Sequence, residues 1–448
     1  MDSYINRNVD SDLLAWMQEK KRKPLLLRGA RQVGKSSAVR QLAKQFDHFL
    51  EINFEMDKNA RDLFAKNDLN PQKLCQELAV IYNTPIVPGK TLLFLDEIQS
   101  SLSAISSLRF FFERHKDLHV IAAGSLLEFA LQELPSLGVG RFRSMFMYPM
   151  NFSEFLGACN QQLLVQAIQN ADCKNPLSDA IHKKIIEHLK RFLILGGMPE
   201  VVASYAYDND LLSCQRILDD LVISLRSDFS KYREKISTLQ MSAVFDSVTS
   251  QMGKKFVFAN VSKEYAHRQL KEGLELLKMS GLVIPVTHSA ANGIPLGAET
   301  DIKSQKMLLL DTGIFQRLLG LPLKQSFISN LLTSDDFSLI NKGNIAELFI
   351  GLEMLKSASC YEQRNLYYWR RENKSSNAEV DYVIQSRNNI IPIEVKSSTK
   401  GAMQSMRLFL KEKKSNYGIR TSFENFGELP EIKIVPLYAL GSFVSGLS

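Results

Sequence analysis

The stretch PLLLRGARQVGKSS, residues 24–37, decides the fold. Leu25, Leu26 and Leu27 form a short apolar run without alternation, as a strand buried on both faces requires. Gly29 to Ser36 then fit GxxxxGK[ST], and SAVRQLAKQF continues as a helix. A strand, a glycine-bearing loop and a helix start make a phosphate-binding loop. Its backbone N–H groups converge on phosphate oxygens, and the helix N-terminus adds a favourable field. The expected nucleotide contacts are Gly29, Ala30, Arg31, Gln32, Val33, Gly34, Lys35, Ser36 and Ser37. Lys35 is assigned to the β/γ-phosphates of ATP and Ser36 to Mg2+.

Working outward, four more apolar runs alternate with helical patterns: FLEINF, TLLFLDE, HVIAAGS and SMFMYPM. That alternation predicts an α/β fold with a mostly parallel sheet. TLLFLDEIQ ends in Asp96 and Glu97, at the strand end where such sheets bind ligands. Asp96 is the candidate second Mg2+ residue, and Glu97 the candidate group that polarises the attacking water. Ser125, closing HVIAAGS, is placed to touch the γ-phosphate or that water. Arg141, in GVGRFR, is the candidate cation for transition-state charge. If it acts on a neighbouring chain, the protein is a homo-oligomer.

The chain has 448 residues, with 45% hydrophobic and 23% charged content, ordinary for a globular protein. Five scattered cysteines without a CxxC pair argue against a disulfide framework or structural zinc, and fit a reducing compartment. No run approaches the ~20 apolar residues of a membrane span, and the polar N-terminus lacks a signal core, so a cytoplasmic protein is expected. The net charge of +7 favours acidic partners; seven Lys/Arg against one acid lie in Lys396 to Arg420.

Four regions are expected: an ATPase core over 1–150, a helical region over 151–240, a winged-helix outline over 241–330, and a C-terminal α/β domain over 331–448. Ser153 is read as the cap of the helix beginning EFL, and GGMPE (196–200) as a turn between helices. Leu270, Leu274 and Leu277 stripe one helix face, which Gly281 ends. His115 and His119 have zinc spacing but no third ligand. YYWRREN (367–373) reads as an amphipathic strand with a basic end.

AEVDYVIQSRNNIIPIEVKSS (378–398) raises a second site. Alternation puts Glu379 and Asp381 on one face, and Glu394 and Lys396 on one face. With SRNN as the turn, Gln385 pairs with Ile390, Asp381 faces Glu394, and Glu379 faces Lys396. Opposed carboxylates repel and suit a hard divalent ion, Mg2+ or Mn2+. Lys396 is the candidate catalytic lysine. Glu347 has two readings, a third metal residue or the N3 partner of an Asn344 capping box.

The order RGARQVGKS, LFLDEIQ, AAGS, GR, YPMNFSEFL, GGMPE resembles AAA-type ATPases of the AAA_14 class linked to a DUF4143 C-terminal region. The resemblance covers nearly the whole chain and implies ATP binding and an ATPase core, with Ser125 as a sensor and Arg141 as a nucleotide-sensing residue. Asp381, followed after twelve residues by Glu394-Val395-Lys396, resembles the PD-(D/E)XK nuclease fold, whose helix glutamate Glu347 matches. Two functions follow: an ATPase coupled to DNA or RNA binding, with metal-dependent nuclease activity open, or a nucleotide-dependent switch whose inactive nuclease-like region binds a protein partner.

Overall fold

The structure is a computed structural model, describing residues 4–66, 70–133, 140–232, 236–322, 343–371, 378–396 and 403–447. Two compact units result: 1–148 with 279–281 and 359–363, and 149–278 with 282–358 and 364–448.

In the first unit, β1 (Leu25–Arg28), β2 (His48–Asn53), β3 (Thr91–Asp96), β4 (His119–Gly124) and β5 (Arg143–Phe146) form one parallel sheet. The order is β2-β3-β4-β1-β5. These are the five apolar runs of the sequence. β3 and β4 are buried along their whole length, as central strands of a parallel sheet must be, while edge strand β2 is only partly covered. Leu26, Leu93, Leu95 and Val120 join Phe54, Phe64 and Phe111 in one core, each such side chain stabilising by roughly 1.5–3 kcal/mol. Register sets Arg28 beside Gly124 and Leu95 beside Ala122. The carboxyl ends of β1, β3 and β4 therefore open on one edge of the sheet. His119 begins β4 and lies edge-on to Trp16 and Phe46, a core histidine.

The second unit opens with helices, as expected: Phe152–Ala158, Gln162–Asn170, Asp179–Leu195, Pro199–Asp208, Leu211–Ser227, Thr238–Ser250 and His267–Met279. The cap of the first is Asn151, not Ser153. Asn151 accepts from the Glu154 amide and the Glu154 carboxylate accepts from the Asn151 amide, both at 2.8 Å. This reciprocal pair satisfies two orphan donors, which Ser153, already inside the helix, does not. Leu270, Leu274 and Leu277 are buried, and Gly281 takes a φ of +73° after the helix end.

Among the described residues eight strands follow: β6 (Val283–Ser289), β7 (Thr300–Leu309), β8 (Leu366–Arg370), β9 (Glu379–Ser386), β10 (Asn389–Val395), β11 (Gly418–Ser422), β12 (Gly427–Leu429) and β13 (Ile432–Pro436). They make one mixed sheet ordered β12-β13-β11-β10-β9-β8-β6-β7. The hairpin β6–β7, expected as the wing of a winged helix, extends the C-terminal sheet, because β6 pairs in parallel with β8 at Val286 and Leu366. Pairing between segments so distant in the chain leaves no local mark in the sequence. In the hairpin β9–β10, Gln385 pairs with Ile390 as expected. Ser386 also pairs with Asn389, so the turn is the two residues Arg387 and Asn388 alone. Arg387 adopts the φ of +50° that tight hairpin turns need.

The helix Asn344–Lys356 is buried from Ile345 to Leu355, so two of its carboxylates, Glu347 and Glu353, lie in the core. Among the described residues no helix is long and apolar enough to cross a membrane.

Candidate functional site

Gly29 leaves β1 at a φ of +147°, and a Cβ there would stand 2.1 Å from the Met147 carbonyl oxygen. Only glycine lets the loop pass. Gly34, at φ +94°, precedes the helix Lys35–Ala43 and turns its first amides toward the loop. The Lys35 ammonium donates to the Gly29 and Ala30 carbonyls at 2.9 and 2.7 Å. Burial lowers the Lys35 pKa to about 8, against the opposing pull of Glu97 and Asp96. The Ser36 hydroxyl donates to Asp96 Oδ2 at 2.9 Å, and the Glu97 amide donates to Oδ1 at 3.0 Å. Burial raises the Asp96 pKa, opposed by the Ser36 hydrogen bond. The structure thus brings Lys35, Ser36, Asp96 and Glu97 together.

Glu97 has a left-handed backbone, φ +48°, a conformation that costs a non-glycine residue about 1–2 kcal/mol. The turn aims its carboxylate: Oε2 accepts from Gln99 Nε2 at 2.6 Å, with the Ser125 hydroxyl at 3.5 Å. A Cβ on Gly124 would lie 2.1 Å from Gln99 Oε1, so the Gly before Ser125 makes room for Gln99. Arg31 lies 4.0 Å from Glu55, and Val33 is fully buried. Arg141 is exposed and donates to Glu113 at 2.9 Å, in a cluster that includes Arg109. Among the described residues, Ser36 and Asp96 fit a nucleotide-borne Mg2+: a hydroxyl and a buried carboxylate, both oxygen donors, already in contact.

Sequence reasoning missed two residues here. Arg7 donates to the Val33 carbonyl at 2.9 Å and to the Tyr148 carbonyl at 2.8 Å, tying the phosphate loop to the segment after β5. Nothing in its spacing marks it. Gln99 was visible in DEIQ, but only the 3-10 turn Ile98–Ser100 folds it back onto Glu97.

The second expected site forms in the second unit around a residue the sequence did not single out. The Lys306 ammonium, on β7, is 2.9 Å from Glu347 Oε1, 2.7 Å from Glu379 Oε1 and 4.0 Å from Asp381 Oδ1. Burial alone would lower its pKa; Glu347, Asp381 and Glu379 outweigh that and hold it well above the ordinary lysine range. Asp381 Oδ2 accepts from the Val395 amide at 2.8 Å, and Lys396 donates to Glu394 Oε1 at 2.6 Å. Burial pushes Glu347 up to about 7, against the Lys306 charge, and raises Asp381 and Glu394.

Of the two readings of Glu347, the capping box does not form. Asn344 is the first helical residue, Gly343 holds the cap position without a side chain, and the Glu347 carboxylate turns to Lys306. The metal expectation also meets Lys306: the acids close on an ammonium. Among the described residues no group of three or more His, Cys, Asp or Glu side chains is arranged to hold a metal ion. The donor set therefore does not fit a divalent ion in this arrangement. Residues 397–402 of the basic run, 372–373 of YYWRREN and 138–139 of GVGRFR lie outside the described residues.

The family profile of an AAA domain, AAA_14, matches residues 21–156. Two domains of unknown function match further on, DUF8612 over 186–325 and DUF4143 over 342–440. The chain carries an AAA_14 domain and a C-terminal DUF4143 domain, the pair its motifs resemble. Among solved structures it is similar to the Walker-type ATPase PABY2304 of Pyrococcus abyssi, at 14% identity and TM-score 0.47, over 70% of this chain and 96% of that one. It is also similar to the Aeropyrum pernix ORC1 protein in complex with DNA, at 12% identity and TM-score 0.29, over 76% and 95%. The Hsp104–ADP complex of S. cerevisiae matches at 15% identity and TM-score 0.29, over 62% and 39%. No curated protein matched the chain.

Proposed function

We propose that the protein binds ATP with Mg2+ and hydrolyses it, and that this cycle is coupled to nucleic-acid binding by its C-terminal region. The observation that carries the first part is the contact of Ser36 with Asp96 at 2.9 Å, beside a buried Lys35 and a held Glu97. Lys35 would exchange its two loop carbonyls for phosphate oxygens. Mg2+ arriving with the nucleotide would be held by Ser36 and Asp96 and would neutralise phosphate charge. Glu97 orients a water for attack on the γ-phosphorus and accepts its proton as the bond to the β,γ-bridging oxygen breaks. ADP and phosphate leave. Ser125, 3.5 Å from Glu97, monitors the same position. Arg141 is reserved for charge on a neighbouring chain's nucleotide, which would require a homo-oligomer.

Nucleic-acid binding is supported by exposed Arg407 and Lys411, one turn apart on the helix Gln404–Lys413, and by exposed Lys414 at its end. A second reading makes the C-terminal region a protein-binding module governed by the nucleotide. It is favoured by Lys306, which fills the acid cluster and removes the metal chemistry a nuclease needs. Two measurements test these readings. Lys35→Ala should lose ATP binding, while Glu97→Gln should bind ATP but hydrolyse it slowly; hydrolysis by Glu97→Gln at the parent rate would refute the water-orienting role. DNA or RNA binding should weaken steeply with salt, with a log–log slope of several phosphates. A flat or absent signal would leave the protein-binding reading.

A further inference from the structure

We propose that Lys306 is the permanent cation of the acid cluster, standing where a divalent metal ion would be required, so that the unaltered C-terminal unit takes up neither Mg2+ nor Mn2+ there. This inference does not rest on the ATPase reading.

Three observations carry it. The ammonium is 1% exposed and within 2.9 Å of two carboxylates, Glu347 and Glu379, with Asp381 at 4.0 Å. Its position is set by the sheet: Lys306 pairs with Val286 on β6, the Phe256 amide donates to the adjacent Gln305 carbonyl at 2.8 Å, and the ammonium lies 5.2 Å from the Tyr368 ring centre. The chain tethers this cation at the cluster, whereas a metal ion must come from solution and be dehydrated. To admit a metal, the protein would have to move a buried ammonium away from its counter-ions or hold two cations side by side; both are disfavoured where the ammonium is shielded from water.

The third observation concerns what the lysines leave over. Lys396 neutralises Glu394 through Oε1, but Glu394 Oε2 is buried and has no hydrogen-bond partner. Four carboxyl groups, on Glu347, Glu379, Asp381 and Glu394, face two ammonium groups, Lys306 and Lys396. The carboxyl oxygens thus stand around an ammonium, with the central position filled from within. Removing Lys306 uncovers a hard-oxygen site for a divalent cation.

The test is Mn2+ binding to the full chain, read by the electron spin resonance of free Mn2+, without nucleotide and in an Asp96→Asn background that silences the phosphate-loop site. With Lys306 present, no binding is expected up to about 1 mM, the range of weak oxygen-ligand sites. Lys306→Met should bind a single Mn2+ at least about tenfold more tightly, and its melting temperature should rise with Mn2+. Adding Asp381→Asn should abolish both effects. Lys306→Met with Glu347→Gln removes a charge of each sign and guards against a variant that does not fold. It should still bind Mn2+ through Asp381, Glu379 and Glu394. Binding by the protein that retains Lys306, lost with Asp381→Asn, overturns the proposal. So does a folded Lys306→Met protein that binds none. The arm with Lys306 intact decides independently of how any Lys306 variant folds.

Discussion

Asp311 Oδ2 accepts a hydrogen bond from the Gly197 amide at 2.7 Å, joining two turns of the second unit that are 114 residues apart. Its other oxygen accepts from the Gly313 and Ile314 amides at 2.8 and 3.2 Å, capping the helix Thr312–Leu318. This explains GGMPE: a Cβ on Gly196 would lie 2.0 Å from Asp311 Oδ1, and one on Gly197 would lie 2.1 Å from the Met150 carbonyl oxygen. Asp311→Ala leaves three buried amides without an acceptor and should cost about 3–5 kcal/mol, read by denaturant unfolding. Gly196→Ala should be comparably damaging. A loss under about 1 kcal/mol would show the junction to be incidental.

Gln99 and Glu97 make a second testable pair. Gln99→Ala removes the 2.6 Å hydrogen bond that holds the Glu97 carboxylate. Hydrolysis should slow about tenfold, part of the roughly 10²–10⁴-fold a positioned base contributes, while the ATP Kd stays near the parent value. An equal loss in affinity would place Gln99 on the bound nucleotide instead.

ATP affinity should depend on pH through Lys35. In the free protein burial lowers its pKa to about 8. Bound phosphate charge favours the protonated ammonium, so the complex holds the proton more tightly than the free protein does. Affinity is then full below about pH 8 and falls above it, by up to about tenfold per pH unit. Calorimetric titration from pH 7 to 9.5 reads this, and a flat profile argues against Lys35 as the phosphate cation.

Arg141 tests assembly. Its pairing with Glu113 is exposed, so Arg141→Ala should leave the denaturant-unfolding midpoint near the parent value. If Arg141 serves a neighbouring nucleotide, mixing Arg141→Ala with Glu97→Gln protein should restore hydrolysis that neither shows alone. Failure at every mixing ratio argues for action within one chain, or for none.

Glu353 predicts a stability profile. Its carboxylate is buried, with the Phe152 amide at 3.2 and 3.3 Å and Lys356 and Glu154 nearby, and burial lifts it to about 7. A carboxyl whose folded pKa is raised binds its proton more tightly when folded. Its contribution is therefore full below about pH 4.5 and is lost as pH rises toward 7, a change of about 3 kcal/mol. Glu353→Gln should flatten that part of the pH–stability curve. An unchanged curve would mean that Glu353 stays ionised across the range.

Local chemistry wrote much of this protein into its sequence. The five apolar runs, the phosphate loop, the acids ending β3 and the Gln385–Ile390 register are set by alternation, glycine spacing and turn composition, all acting within a few residues. Other features had no local mark. Arg7 reaches Val33 and Gln99 reaches Glu97 only after turns close, and β6 joins β8 only when a distant strand arrives. Lys306 shows the limit most clearly. In KMLLLD it reads as the polar start of a strand, and the acids of 378–398 read as the ligands of a metal. Crowding four carboxylates together, two of them buried, demands a cation, and the sequence could state that demand. Which cation meets it depends on the β6–β7 hairpin, which places an ammonium from far along the chain among them. Only the tertiary structure decided that.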